Sequence, residues 1–319
     1  ILIENCIEIL PKLTDEHKDY VCGSMNLNPA LTMDIVLAYP DLPWNIYCAS
    51  RNMNINDILN HPELKWDWFI VSCNLSVTID IVLSNIDKPW NWVCISAHTN
   101  ITMSDIEAHM DLPWNWNAVS ANPNLTTVMI EAHPDKPWHW AGIGRYMKLT
   151  VDLLRQYPDK PWDFMVMSMF NPSITLELLL ATPDLPWRYD WLSRNKCLTM
   201  DMVLAFLDKN WEWMSLSHHP NITMSDIESH MDLPWDWGWC GVSSNPNLTM
   251  AMVENNMEKP WDWDDIIEHM KLTVDLLRKY AKVQWNFGAM SENSSITLEL
   301  LLTTPDLPWN YSRMSLNES

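Results

Sequence analysis

Tryptophan, histidine and carboxylate residues are the side chains in this sequence that could do chemistry, and their spacing decides how far each reading goes. Indole pairs written W-x-W, such as Trp66 with Trp68 and Trp114 with Trp116, offer flat apolar faces on which a sugar or a nucleobase could stack. They recur at fixed positions, which points to core packing instead. His98 and His109 recur as His219 and His230, with His218 as a neighbour. The eleven-residue step between the paired histidines crosses a turn and matches no ligand motif. Carboxylates are abundant enough to sketch an acid–base pair at many places. However, 21 of the 41 acids sit at two repeated positions where a carboxylate favours a helix start. No Gly-rich phosphate loop, G-x-S-x-G or H-E-x-x-H occurs. The expectation is no catalytic site, no metal, no cofactor, no small-molecule substrate and no enzyme.

Other residue classes narrow the field further. The seven cysteines, at 6, 22, 48, 73, 94, 197 and 240, are odd in number and follow no metal-like or repeated spacing. They read as free thiols in a reducing compartment. N-x-S/T triplets at Asn100, Asn124, Asn221 and Asn247 arise because Asn precedes an apolar-Thr pair in the repeat, so helix capping is the better reading than glycosylation. A net charge of −21 argues against phosphate backbones and anionic membranes as partners, and no apolar run is long enough to span a bilayer. The chain begins at Ile1 without a signal or transit pattern and ends partway through a repeat, which reads as a cytoplasmic fragment of a longer array.

The elements that must position these residues come from a repeat. Trp stands at 44, 66, 90, 114, 138, 162, 187, 211, 235, 261, 285 and 309, mostly 24 residues apart. Twelve residues before each lies a candidate cap: Asn54 once and Thr elsewhere, from Thr32 to Thr297. All length variation falls between a Trp and the next cap. An acid follows the cap by two or three residues in ten of twelve repeats, and aliphatic residues flank it before and four after. Cap, acid and hydrophobic staple together predict a short helix. A second helix is predicted at the Trp, started by the acid three residues before it and by the preceding Pro. Six residues after Trp stands Ser in nine repeats and Gly144 or Gly241 in two, small enough for a neighbour to approach closely. An Asn-Pro-Asn turn, as at 122–124 and 245–247, closes that helix.

Helices this short need neighbours to bury their apolar faces. The predicted fold is therefore all-α: an α-solenoid of about thirteen units of about 24 residues, each two short helices. One array fills 1–319, with a diverged unit over 1–20, Trp repeats over 21–312 and a truncated end over 313–319. A longer period exists as well. Ser96–Trp116 matches Ser217–Trp237 at 17 of 21 positions, so a block of five repeats was duplicated. Trp191 and Trp239 fall outside the W-x-W positions, which makes them the candidate partner-binding residues.

The run from Pro113-Trp114-Asn115-Trp116 through Asn122-Pro123-Asn124-Leu125-Thr126 resembles the tryptophan-repeat proteins of giant DNA viruses of protists. The resemblance covers about residues 20 to 312 and carries over no catalytic residue. It implies a viral protein in the host cytoplasm or the particle. Lys65, Asn210 and Gln284 replace the Pro and Lys282 the acid, so weaker Trp-helix starts are expected there. The expected function is a non-enzymatic scaffold for a protein partner. The alternative is a virion structural or assembly component.

Overall fold

The computed structural model describes residues 31–39, 44, 50, 51, 53–281, 283, 285–291, 293 and 295–310. Among these the chain is all-helical, with no strand, and two kinds of short helix alternate. The Thr-side helices, such as Ile79–Ser84, Met103–Ala108 and Leu176–Ala181, are six residues long. Thr102 and Thr223 form full capping boxes with Asp105 and Asp226. At Thr78, Thr126, Thr175, Thr199, Thr249, Thr273 and Thr297 the hydroxyl accepts the N–H three residues on. The staple residues are buried, as with Val77 and Val82 or Ile101 and Ile106.

The Trp-side helices start later than the sequence predicts. They open two residues after the repeat Trp, at Trp68, Trp92, Trp116, Trp140, Phe164, Tyr189 and Trp213. The cap is the residue between: Asp67, Asn91, Asn115, His139, Asp163 and Glu212 each accept an N–H of the first turn. The acid three before Trp lies exposed in the turn, as at Asp111 and Asp208. The reason is steric. A Pro disfavours α conformation in the residue before it, and here it centres a tight turn in which the Trp114 N–H donates to the Leu112 carbonyl at 2.8 Å. The same turn forms at Trp66 and Trp211, where Lys65 and Asn210 replace Pro. The helices there are capped as in the other repeats, by Asp67 and Glu212. Gln284 and Lys282 lie outside the described residues.

The chain divides into two compact units, Ile1–Met147 with Tyr157–Trp162, and Lys148–Gln156 with Asp163–Ser319. In the first, one apolar core runs from Leu31 through Ile58, Val82, Ile106 and Ile130 to Ile143, with the repeat Trp66, Trp90, Trp114 and Trp138 among its buried members. In the second, Trp187, Trp211, Trp235 and Trp309 are likewise buried. Trp44, Trp162, Trp261 and Trp285 are half-buried.

Each repeat Trp among the described residues except Trp285 does two things. Its ring fills the core, and its indole N–H donates to the carbonyl that terminates the preceding Thr-side helix. Trp114 donates to His109 at 2.7 Å, Trp138 to His133 at 2.9 Å and Trp235 to His230 at 2.8 Å. Those acceptors are the C-cap residues, whose carbonyls a helix cannot satisfy by itself. Trp285, in the repeat that lacks the acid, has a buried indole nitrogen without a partner.

Successive repeats are also stitched through polar atoms. The Ser120 hydroxyl donates to the Trp116 carbonyl and accepts the N–H of His139, the next repeat's cap, at 2.9 Å. Ser72, Ser193 and Ser217 do the same for Asn91, Glu212 and Asp236. The first Asn of Asn-Pro-Asn is buried and donates backward: Asn122 to the carbonyls of Ser96, His98 and Ile101. The second, Asn124, donates to Thr99 and Ile101. Edge-to-face rings complete the joint, with Trp92 and Trp114 centroids 5.3 Å apart and Trp213 and Trp235 5.2 Å apart.

Candidate partner-binding face

Several sequence candidates are consumed by this stitching. His98 and His219 occupy the place of the buried Asn, and their Nε2 atoms lie 3.0 and 3.1 Å from the carbonyls of Asn74 and Asn195. Burial pushes both imidazoles below their ordinary value. Both histidines are buried, because the ring replaces an amide that must reach a carbonyl of the previous repeat. Among the described residues no group of three or more His, Cys, Asp or Glu could hold a metal ion, and no helix is long and apolar enough to cross a membrane. The amide nitrogens of Asn100, Asn221 and Asn247 are likewise engaged with carbonyls of the preceding repeat.

What the periodic pattern leaves free lies on the outer side of the Trp-side helices. Trp191 and Trp239 each stand four residues after a repeat Trp, two repeats apart, so they share one register. Trp191 is half-buried, with the Arg194 guanidinium over its ring at 5.7 Å. Arg194 reaches onward, donating from Nε to the Ser215 hydroxyl at 3.1 Å and lying 3.6 Å from Glu212. Met214, exposed, and His218 follow, and His218 Nδ1 lies 2.7 Å from the Cys240 carbonyl. These contacts carry one surface from Trp191 to Trp239.

Trp239 is 69% exposed, unlike the core Trp around it. Two extra residues between Trp237 and Asn245, compared with Trp116 to Asn122, put it there. The helix of the other repeats is replaced by a 3-10 turn, Val242–Ser244. Ser243 takes over the stitching role, its hydroxyl accepting the Asp262 N–H at 2.9 Å. Cys240 has φ 56°, a left-handed conformation costly for a non-Gly residue. Gly241 is required, since a Cβ there would stand 2.2 Å from the Asp236 carbonyl oxygen. The buried Asp265 carboxylate anchors the bulge, accepting from the Cys240 N–H and the Ser244 hydroxyl. Burial first, and then the charges of Asp265, Asp236 and Asp262, push the Cys240 thiol up. Trp239 therefore stands on a braced pedestal beside carboxylates.

Sequence reasoning missed the cap after each Trp and the cation that covers the second aromatic. Lys136, Lys160 and Lys259 lie 5.2, 5.4 and 4.9 Å from the ring centroids of Trp116, Trp140 and Trp237. The signal was present: Asn, Asp and Glu dominate the residue after Trp, and Leu or Lys mostly fills the place two before it. No family model matches the chain, and no curated protein or solved structure matches it.

Proposed function

We propose that this chain is a non-enzymatic α-solenoid scaffold that binds a positively charged segment of another protein, with Trp239 as its anchor. The observation that carries the reading is an indole left in water on a braced bulge, in a chain whose repeat indoles are buried or half-buried. Exposed aromatic anchors supply binding energy out of proportion to their area. The net charge of −21, with Asp236 and Asp262 beside the bulge, selects a basic partner and speeds its approach. An Arg or Lys side chain stacks on the indole face while its neighbours meet the carboxylates. Trp191 extends the contact two repeats back, and Met214 fills the space between with an adaptable apolar side chain. Through the resemblance to viral tryptophan repeats, the setting is the cytoplasm of an infected cell.

The test is titration of the full chain with an arginine-rich peptide of about ten residues at near-physiological ionic strength. Trp239→Ala should weaken binding about tenfold, a loss of about 1.4 kcal/mol, without changing Tm. Equal affinity of the wild-type chain and the Trp239→Ala variant would reduce the interaction to bulk charge and sink the anchor.

A further inference from the structure

We propose that the pocket lined by Lys136 and Lys160 is a binding site for a small aromatic carboxylate. It lies inside the first compact unit, between the Pro turns of two successive repeats. Its volume is about 170 Å³, close to the ~150 Å³ that takes one benzene ring. Pro134, Pro137 and Trp140 give it apolar walls. Trp140 is a fixed wall: it is buried and packs edge-to-face on Trp162, with centroids 5.0 Å apart. Three polar groups line the same space, and the protein leaves them largely unspent. Lys160 Nζ stands 5.4 Å from the Trp140 ring centroid and has no carboxylate in ion-pair range among the described residues. Lys136 Nζ stands 5.2 Å from the Trp116 centroid and reaches Asp135 only at 3.9 Å. The Tyr157 hydroxyl makes no hydrogen bond among the described residues.

The donors decide the chemistry of the ligand. Two ammonium groups can only donate, and burial, followed by the Glu131 charge, pushes the Tyr157 phenol up, so it stays a donor as well. A carboxylate accepts from all three through charge-assisted hydrogen bonds. The apolar walls then favour a carboxylate carried on a ring over a bare anion. The net charge of −21 repels anions at a distance, but salt screens that field within about 8 Å, whereas the lysine contacts are direct. A pocket at the corresponding place in the second compact unit provides the comparison. Pro183, Trp187, Tyr189 and Lys209 line it, each 49 residues after its counterpart. There Leu185 stands for Lys136 and Phe206 for Tyr157, and Lys209 is paired with Asp208 at 3.0 Å. Its donors are missing or spent, so it should not take the ligand.

The test is a fluorine NMR titration of the full chain with para-fluorobenzoate, and with para-fluorobenzamide as its neutral counterpart. The acid should bind saturably and about tenfold or more tighter than the amide. Lys160→Met should weaken the acid about tenfold. Tyr157→Phe, which copies Phe206, should weaken it too, and Lys209→Met should leave it unchanged. Lys160 and Lys209 are exposed, so their variants should keep the wild-type Tm. Equal binding of acid and amide, no effect of Lys160→Met, an equal loss from Lys209→Met, displacement of the probe by an equal concentration of inorganic phosphate, or no saturable binding would overturn the proposal.

Discussion

An indole is the only side chain that both fills the space between Thr-side helices and caps one of them. Trp114→Ala should cost about 3–5 kcal/mol through lost burial and the cavity left behind. Trp114→Phe isolates the hydrogen bond to His109 and should cost about 1 kcal/mol beyond its packing change, because the carbonyl loses one of its two donors and keeps the Leu112 N–H. Trp285 makes no such bond, so Trp285→Phe should cost less than Trp114→Phe; denaturant unfolding of the three variants checks this order. A second prediction concerns pH. His98 and His219 are held below the ordinary 6.5 by burial, so below that value the unfolded chain binds protons that the folded chain does not. Stability therefore falls as pH drops beneath 6.5 and levels off below the folded values. His98→Asn with His219→Asn, which copies Asn122, should shrink the drop in Tm between about pH 7 and about pH 5. An unchanged drop would mean that the two rings do not titrate as their burial requires.

Helices of four to seven residues do not persist alone, and most of the helix starts here are capped by a side chain, as at Asp67 and His139. The Thr-side helices were legible because cap, acid and staple all fall inside one short window. The Trp-side helices were misplaced by two to five residues, because Asp and Pro before Trp read as a cap and a first turn. Distinguishing a turn centred on Pro from a helix start needs the hydrogen-bond partner of the Trp N–H, which no window of residue types supplies. The bulge at Trp239 shows the same limit. Its two extra residues were visible as a longer step from Trp235 to Thr249, yet their effect depends on Asp265, in the following repeat. Gly241→Ala should destabilise the chain by about 1–3 kcal/mol, since the new Cβ must displace backbone at Asp236. Cys240→Gly should stabilise it by about 1 kcal/mol by relieving the left-handed residue. Thermal unfolding measures both.

At the scale of the molecule, charge and repetition act together. With 41 acids against 20 bases, repulsion opposes compaction, so Tm should rise as salt increases from about 0.02 to about 0.2 M; a flat or falling curve would show that local ion pairs such as Arg155–Asp184 outweigh the net charge. The sequence by itself determined the all-helical class, the two-helix repeat, its Thr caps and the duplicated block, because these are local or periodic properties that a chain must satisfy within a few residues. Tertiary structure alone decided which polar side chains are spent on the neighbouring repeat. Asn122, Ser120 and His98 look like surface turn residues until their partners, 19 to 26 residues away, come within hydrogen-bond reach. It also decided that Trp239 stands exposed on a bulge held by Asp265. Such pairings depend on the offset between stacked repeats, and that offset is fixed by packing rather than by the pattern within any one of them.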